Sequence, residues 1–135
     1  MKVTVMPAPL LRREGFTLIE ILIVVAILGI IMAIATPVYT SYRLRSNRSD
    51  AKVKLLEGAQ QLERYYTRNA VGGYVGYVIP ANLSGTLYTV TFAAGEPTAN
   101  TFELQAVAQG SQAADTGCTT LTINHLQQRL PAACW

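Results

Sequence analysis

Few side chains in this sequence are of kinds that do chemistry, and the most informative is a carboxylate in an apolar setting. Glu20 stands inside the run FTLIEILIVVAILGIIMAIATPVY, residues 16–39, one helical turn after Phe16. A charged side chain near the centre of a membrane segment costs on the order of 3 kcal/mol and normally has a functional partner. If the chain is cut before Phe16, the new α-amine becomes a cation at the same helix end. An amine–carboxylate pair, within one chain or between neighbours, would then offset the burial cost. The alternative is a Glu that sits among lipid headgroups.

The other reactive residue types are sparse. Cys118 and Cys134 are too far apart for a CxxC redox pair, and the lone His125 cannot complete a familiar zinc site. A disulfide is the economical reading if this part of the chain lies outside the cytoplasm. It would contribute on the order of 3 kcal/mol by restricting the unfolded chain. Two unpaired buried thiols are the other reading. There is no HExxH, no P-loop and no serine with an evident base, and Gly72, Gly73 and Gly76 do not form a GxGxxG phosphate loop. His125, at the end of a strand-like segment, is read as structural. The triplets Asn47-Arg48-Ser49 and Asn82-Leu83-Ser84 match glycosylation acceptors of a kind that arises often by chance. These residues provide no catalytic, cofactor or metal site, and enzyme activity is not expected.

The elements around these residues explain their positions. Half of the 135 residues are hydrophobic, but unevenly so: residues 21–42 carry no charge, whereas residues 43–54 hold Arg43, Arg45, Arg48, Lys52 and Lys54 against Asp50 alone. At about 1.5 Å per residue, a helix from Phe16 to Tyr39 is long enough to cross the hydrocarbon layer. Ala33, Ala35 and Thr36 imitate the cleavage site of an ordinary secretory signal. However, the apolar run exceeds the usual signal core and leads into a continuing helical pattern.

The stretch Gly15-Phe16-Thr17-Leu18-Ile19-Glu20, followed by about twenty apolar residues, resembles the class III signal of type IV prepilins and pseudopilins. The motif is specific because cleavage Gly, Phe, Glu and apolar run occur together in the family's order. The resemblance implies that a prepilin peptidase cuts between Gly15 and Phe16 and methylates the new amine, making Phe16 N-methylphenylalanine. It also implies that Glu20 guides the subunit into register with its neighbour in the filament. Glu14 departs from the more usual basic or neutral residue, with an expected effect on cleavage efficiency. Gly29 and Pro37 weaken the helix, and by resemblance mark a segment that can unwind in the assembled fibre; a membrane-helix kink is the alternative. The stretch YRLRSNRSD, residues 42–50, looks like the corresponding region of PilE-type minor pilins.

Topology is where charge and resemblance disagree. The flank after the apolar run has five basic residues, against Lys2, Arg12 and Arg13 before it. The Lys/Arg bias alone puts the leader outside the cytoplasm. The resemblance implies a cytoplasmic leader and a periplasmic C-terminal domain, and the expectation follows the resemblance.

Beyond Tyr39 the pattern remains helical to about Arg68, where Ala51, Leu55, Ala59, Leu62 and Tyr66 draw one apolar stripe. The three glycines then break the helix, and Tyr74 and Tyr77 are expected to pack in the loop. Residues 87–92, 101–107 and 119–123 have strand character, with a turn at Gly95-Glu96-Pro97. The expected fold class is α+β. It resembles the pilin fold: a long N-terminal helix on a small antiparallel sheet, with a disulfide-bounded C-terminal loop. The expected divisions are a leader at 1–15, a transmembrane or filament-core helix at 16–42, and a periplasmic domain at 43–135.

The implied function is that of a structural subunit of a type IV pilus, of minor pilin kind. The implied partners are other pilin subunits, the prepilin peptidase, the inner membrane before assembly and an inner-membrane assembly platform. The protein would then reside in the inner membrane as a precursor and afterwards in a pilus at the cell surface. Two alternatives stand beside this. The first is a pseudopilin of a type II secretion system, of which the major ones typically lack such a disulfide and carry an acidic calcium loop, for which only Asp115 is at hand. A DNA-uptake pilin needs a distal basic patch, and beyond Arg68 the sole basic residue is Arg129.

Overall fold

A computed structural model describes residues 15–69 and 71–135. The leader residues 1–14, with Lys2, Arg12, Arg13 and Glu14, lie outside the described residues. The chain separates after Val38 into two compact units.

One helix, α1, covers Leu18–Arg68. Its apolar first part belongs to the first unit, where side chains 16–38 are all exposed. It is the one described helix long and apolar enough to cross a membrane. The part in the second unit is amphipathic: Ala51, Leu55, Gly58, Ala59 and Leu62 are buried, one or two turns apart on a single face. The expected stripe included Tyr66, which is instead 39% exposed. The stripe ends at Leu62, and the ring of Tyr66 lies against that of Tyr74 with centroids 4.6 Å apart.

The helix face packs on a four-stranded antiparallel meander, β1 (Tyr88–Phe92), β2 (Glu103–Ala108), β3 (Thr120–Asn124) and β4 (Arg129–Leu130), in the order β1-β2-β3-β4. The two-residue β4 was not among the three strands expected from the sequence. It is too short to show a period of two, and pairing with Thr122 and Ile123 defines it. On the inner face Tyr88, Val90, Leu104, Ala106, Leu121 and Ile123 are buried, as the pleat requires of alternate residues. Each fully buried leucine there contributes about 1.5–3 kcal/mol. Helix and sheet approach closely at Gly58, where an added Cβ would lie 2.9 Å from Leu104 Cδ1. The outer edge of β1 is blunted by Ser84, whose Oγ accepts a hydrogen bond from Val90 N–H at 2.9 Å.

The loop after α1 is held by aromatic rings, as expected for Tyr74 and Tyr77. Tyr74 is buried edge-on to Phe102, and its hydroxyl donates to Glu63 at 3.0 Å. Tyr77 is half-buried and donates to Gln61 at 2.8 Å. Gly73 has a φ of 60°, and a Cβ there would drive into the backbone carbonyl of Ala99. His125 follows β3 directly: its backbone N–H donates to Phe102 O at 3.0 Å, and its ring lies edge-on to that phenyl ring.

Two outcomes follow for the detergent-solubilised chain unfolded in urea. Gly73→Ala is destabilised by about 2 kcal/mol or more, because the left-handed backbone and the Ala99 carbonyl both oppose a side chain. For Tyr74, burial chiefly, with Glu63 adding, pushes the hydroxyl from 10.0 up to about 12. The folded pKa is the higher one, so the stability from the neutral hydroxyl is complete below pH 10 and lost as pH rises through about 12. Wild type therefore loses more stability across that window than Tyr74→Phe, and parallel curves would contradict this account.

Candidate assembly site

The start of α1 gathers the residues singled out in the sequence. Gly15, Phe16 and Glu20 are all exposed, Phe16 to 81%. The helix begins where Thr17 can cap it: Thr17 Oγ1 accepts a hydrogen bond from Glu20 N–H at 3.3 Å. The spacing Thr17-x-x-Glu20 is that of a capping box, a local signal absent from the sequence reading. It gives Glu20 a second role, since an acid in the first helical turn interacts favourably with the helix dipole. The carboxylate of Glu20 forms no ion pair among the described residues, whose one salt bridge lies elsewhere.

Gly29 and Pro37 lie farther along the same helix, and α1 continues through both. A Cβ on Gly29 would meet nothing within 4 Å. Pro37 has no N–H to offer the carbonyl one turn earlier, and Thr36 Oγ1 donates to Met32 O at 2.6 Å nearby. The surface Gly29 and Pro37 share is apolar and uncovered, a property that marks membrane or protein interaction.

The second unit brings distant residues together. Cys118 and Cys134 form a disulfide with their Cα atoms 5.7 Å apart. Just before Cys118, a 3-10 turn (Gly110–Ala114) leads to Asp115, which is buried. Arg48 on α1 grips that carboxylate with two hydrogen bonds, Nε to Oδ2 at 2.9 Å and Nη2 to Oδ1 at 2.8 Å. Gln112, wholly buried, accepts from Asn47 Nδ2 at 2.9 Å. Its own amide donates to Leu44 O at 3.1 Å, to Tyr88 Oη at 3.0 Å and to Asp115 Oδ2 at 3.2 Å. Burial foremost pushes the Tyr88 hydroxyl pKa up. Asp115, considered in the sequence only as a scarce calcium ligand, is thus occupied by Arg48. Among the described residues no cluster could hold a metal ion. No local pattern announces a pair 67 residues apart, so sequence reasoning missed this network.

Comparison with known proteins adds to this geometry. Residues 10–36 match the prokaryotic N-terminal methylation motif. Residues 37–122 match the family described as type IV minor pilin ComP, DNA uptake sequence receptor. The type IV major fimbrial protein FimA of Dichelobacter nodosus is 35% identical over 101 residues, 70% of this chain and 60% of FimA. The type IV major pilin PilA of Myxococcus xanthus is 54% identical over 44 residues, 33% of this chain and 20% of PilA. The chain therefore spans less than two thirds of the length of these relatives. A solved type IV pilin from Shewanella oneidensis superposes with a TM-score of 0.56 at 31% identity, covering 68% of this chain and 97% of that one.

Removing one partner of a buried, hydrogen-bonded pair costs about 3–5 kcal/mol, whereas replacing both by apolar residues can be close to neutral. Arg48→Ala is accordingly strongly destabilised in urea, and Arg48→Met with Asp115→Leu recovers most of the loss. A single variant as stable as wild type would show that the pair does not hold the loop to the helix.

Proposed function

Because this chain belongs to the type IV minor pilin ComP family, we propose that it is a filament subunit. It would be held in the inner membrane by α1 and then assembled through that same helix. The observation that carries this reading is the uncovered apolar part of α1, which falls within the methylation motif and runs directly into the pilin-family match. Such a surface needs either lipid or the helices of sister subunits around it.

In this reading the leader is cut after Gly15 by a prepilin peptidase, and the new amine of Phe16 is methylated. It becomes the partner that Glu20 lacks among the described residues, and a pair between neighbouring subunits offsets the cost of burying both charges. Gly29 and Pro37 mark where α1 loosens when packed in the fibre. The second unit is the periplasmic and later surface-exposed domain. No step requires catalysis by the chain itself.

The family description supports a second reading, in which the subunit captures DNA. The charge of the sheet region opposes it: residues 69–135 hold Arg129 against Glu96, Glu103 and Asp115. Phosphate recognition draws on clustered basic side chains, and Arg129, set over the Trp135 ring at 5.4 Å, stands alone there.

Shearing filaments from expressing cells and analysing them by mass spectrometry tests the first reading. The expected product is a peptide beginning at methylated Phe16. Gly15→Ser leaves uncut precursor in the membrane. Glu20→Val is processed normally but its incorporation falls by about tenfold or more, the order expected for losing a buried charge partner. Normal incorporation would remove the pairing role. Processed protein confined to the envelope would favour a secretion pseudopilus, and salt-dependent binding of duplex DNA by the purified chain would favour DNA capture.

A further inference from the structure

The basic flank after the apolar segment runs against the usual charge bias, and the filament reading alone does not explain it. Its members differ in what they touch. Arg48 is committed to Asp115, and Lys54 Nζ donates to Asn82 O. Arg43 and Arg45 are exposed and make no salt bridge among the described residues. Asp50 is the nearest acid ahead on α1, seven residues on from Arg43, about 10 Å along the axis. Two tyrosines accompany these arginines, Tyr39 and Tyr42, 66% and 69% exposed.

Helical spacing of about 100° per residue puts Tyr39, Tyr42 and Arg43 within roughly 100° of one another. That face is opposite the one carrying Leu55 and Leu62, which is buried against the sheet. Arg45 flanks it. The apolar residues 16–38 would span about 33 Å as helix, close to the roughly 30 Å of a hydrocarbon core. The residues that follow in the chain, from Tyr39 to Arg45, occupy about 9 Å of helix, the depth of a headgroup layer. Aromatic rings with a polar tip and long basic side chains with apolar stems are the residue types that settle at that level.

We propose that Tyr39, Tyr42, Arg43 and Arg45 form an anchor for anionic phospholipid headgroups on the domain side of the membrane. This rests on the membrane-held precursor of the proposed function. The guanidinium groups bind lipid phosphates, and the tyrosine rings sit between headgroups and acyl chains. The anchor sets the depth of the subunit and is released when α1 leaves the bilayer. Charge complementarity accounts for basic residues on a flank where the Lys/Arg bias disfavours them: there they act as lipid ligands.

The test uses the full chain reconstituted with equal amounts of phosphatidylglycerol and phosphatidylcholine. Alkaline carbonate extraction first checks insertion, and release of the wild-type chain would overturn the membrane reading itself. Lipids retained on the inserted protein are then counted by native mass spectrometry. Wild type keeps phosphatidylglycerol over phosphatidylcholine by about thirtyfold, the order expected of two basic side chains near an anionic surface. Arg43→Gln with Arg45→Gln brings the ratio close to one, while Arg64→Gln with Arg68→Gln leaves it unchanged. Equal retention of both lipids by inserted wild type, or an unchanged preference in the Arg43/Arg45 variant, overturns the anchor. If that variant keeps the preference but loses filament incorporation, the two arginines pair with a carboxylate of a neighbouring subunit instead.

Discussion

An apolar helical surface that no described residue covers is the constraint on which the rest of this structure depends. Side chains 16–38 of the first unit are all exposed, and water penalises each of them in proportion to its area. The surface is therefore stable only in lipid or among other apolar helices. Those two environments are the two stages expected of a filament subunit. One charged group, Glu20, interrupts it, at the helix end where a new amine would arise.

The same helix serves a different purpose after Val38. There one face is apolar and small, and it receives the inner face of the sheet. Small residues matter as much as large ones: Gly58 lets Leu104 and Leu83 approach the helix backbone closely. Two polar groupings then bind the ends of this sandwich. Near its start, Arg48, Asn47 and Leu44 reach Asp115 and Gln112. Near its end, Tyr65, Tyr66, Tyr74 and Tyr77 stack and hydrogen-bond where the chain leaves α1. The disulfide begins three residues beyond Asp115, so the loop it closes starts from a point already fixed to the helix.

These arrangements distribute charge by partner rather than by sign. Arg48 is partly buried in a neutralising contact, whereas Arg43 and Arg45, within five positions of it, face outward. A count of basic residues along the flank treats all of them alike. Their surroundings differ: Arg48 is paired with Asp115 and Lys54 donates to a backbone carbonyl, whereas Arg43 and Arg45 make no salt bridge among the described residues.

Periodicity and residue type sufficed for the elements whose signals are local. The apolar run, the Gly15-Phe16-Glu20 spacing, the stripe from Ala51 to Leu62 and the alternation in β1 to β3 are each set by neighbours within a few positions, so they are legible from the sequence. The same holds for the family resemblance and for the expectation that Cys118 and Cys134 pair. Tertiary structure alone decided the rest. It turned Tyr66 outward, added β4 through pairing with β3, and joined Arg48 directly to Asp115, with Gln112 beside them. The physical reason is the same in each case. Burial and partner choice depend on side chains far apart in the chain, and no local pattern carries the free energy of a contact that forms only once the sheet lies on the helix.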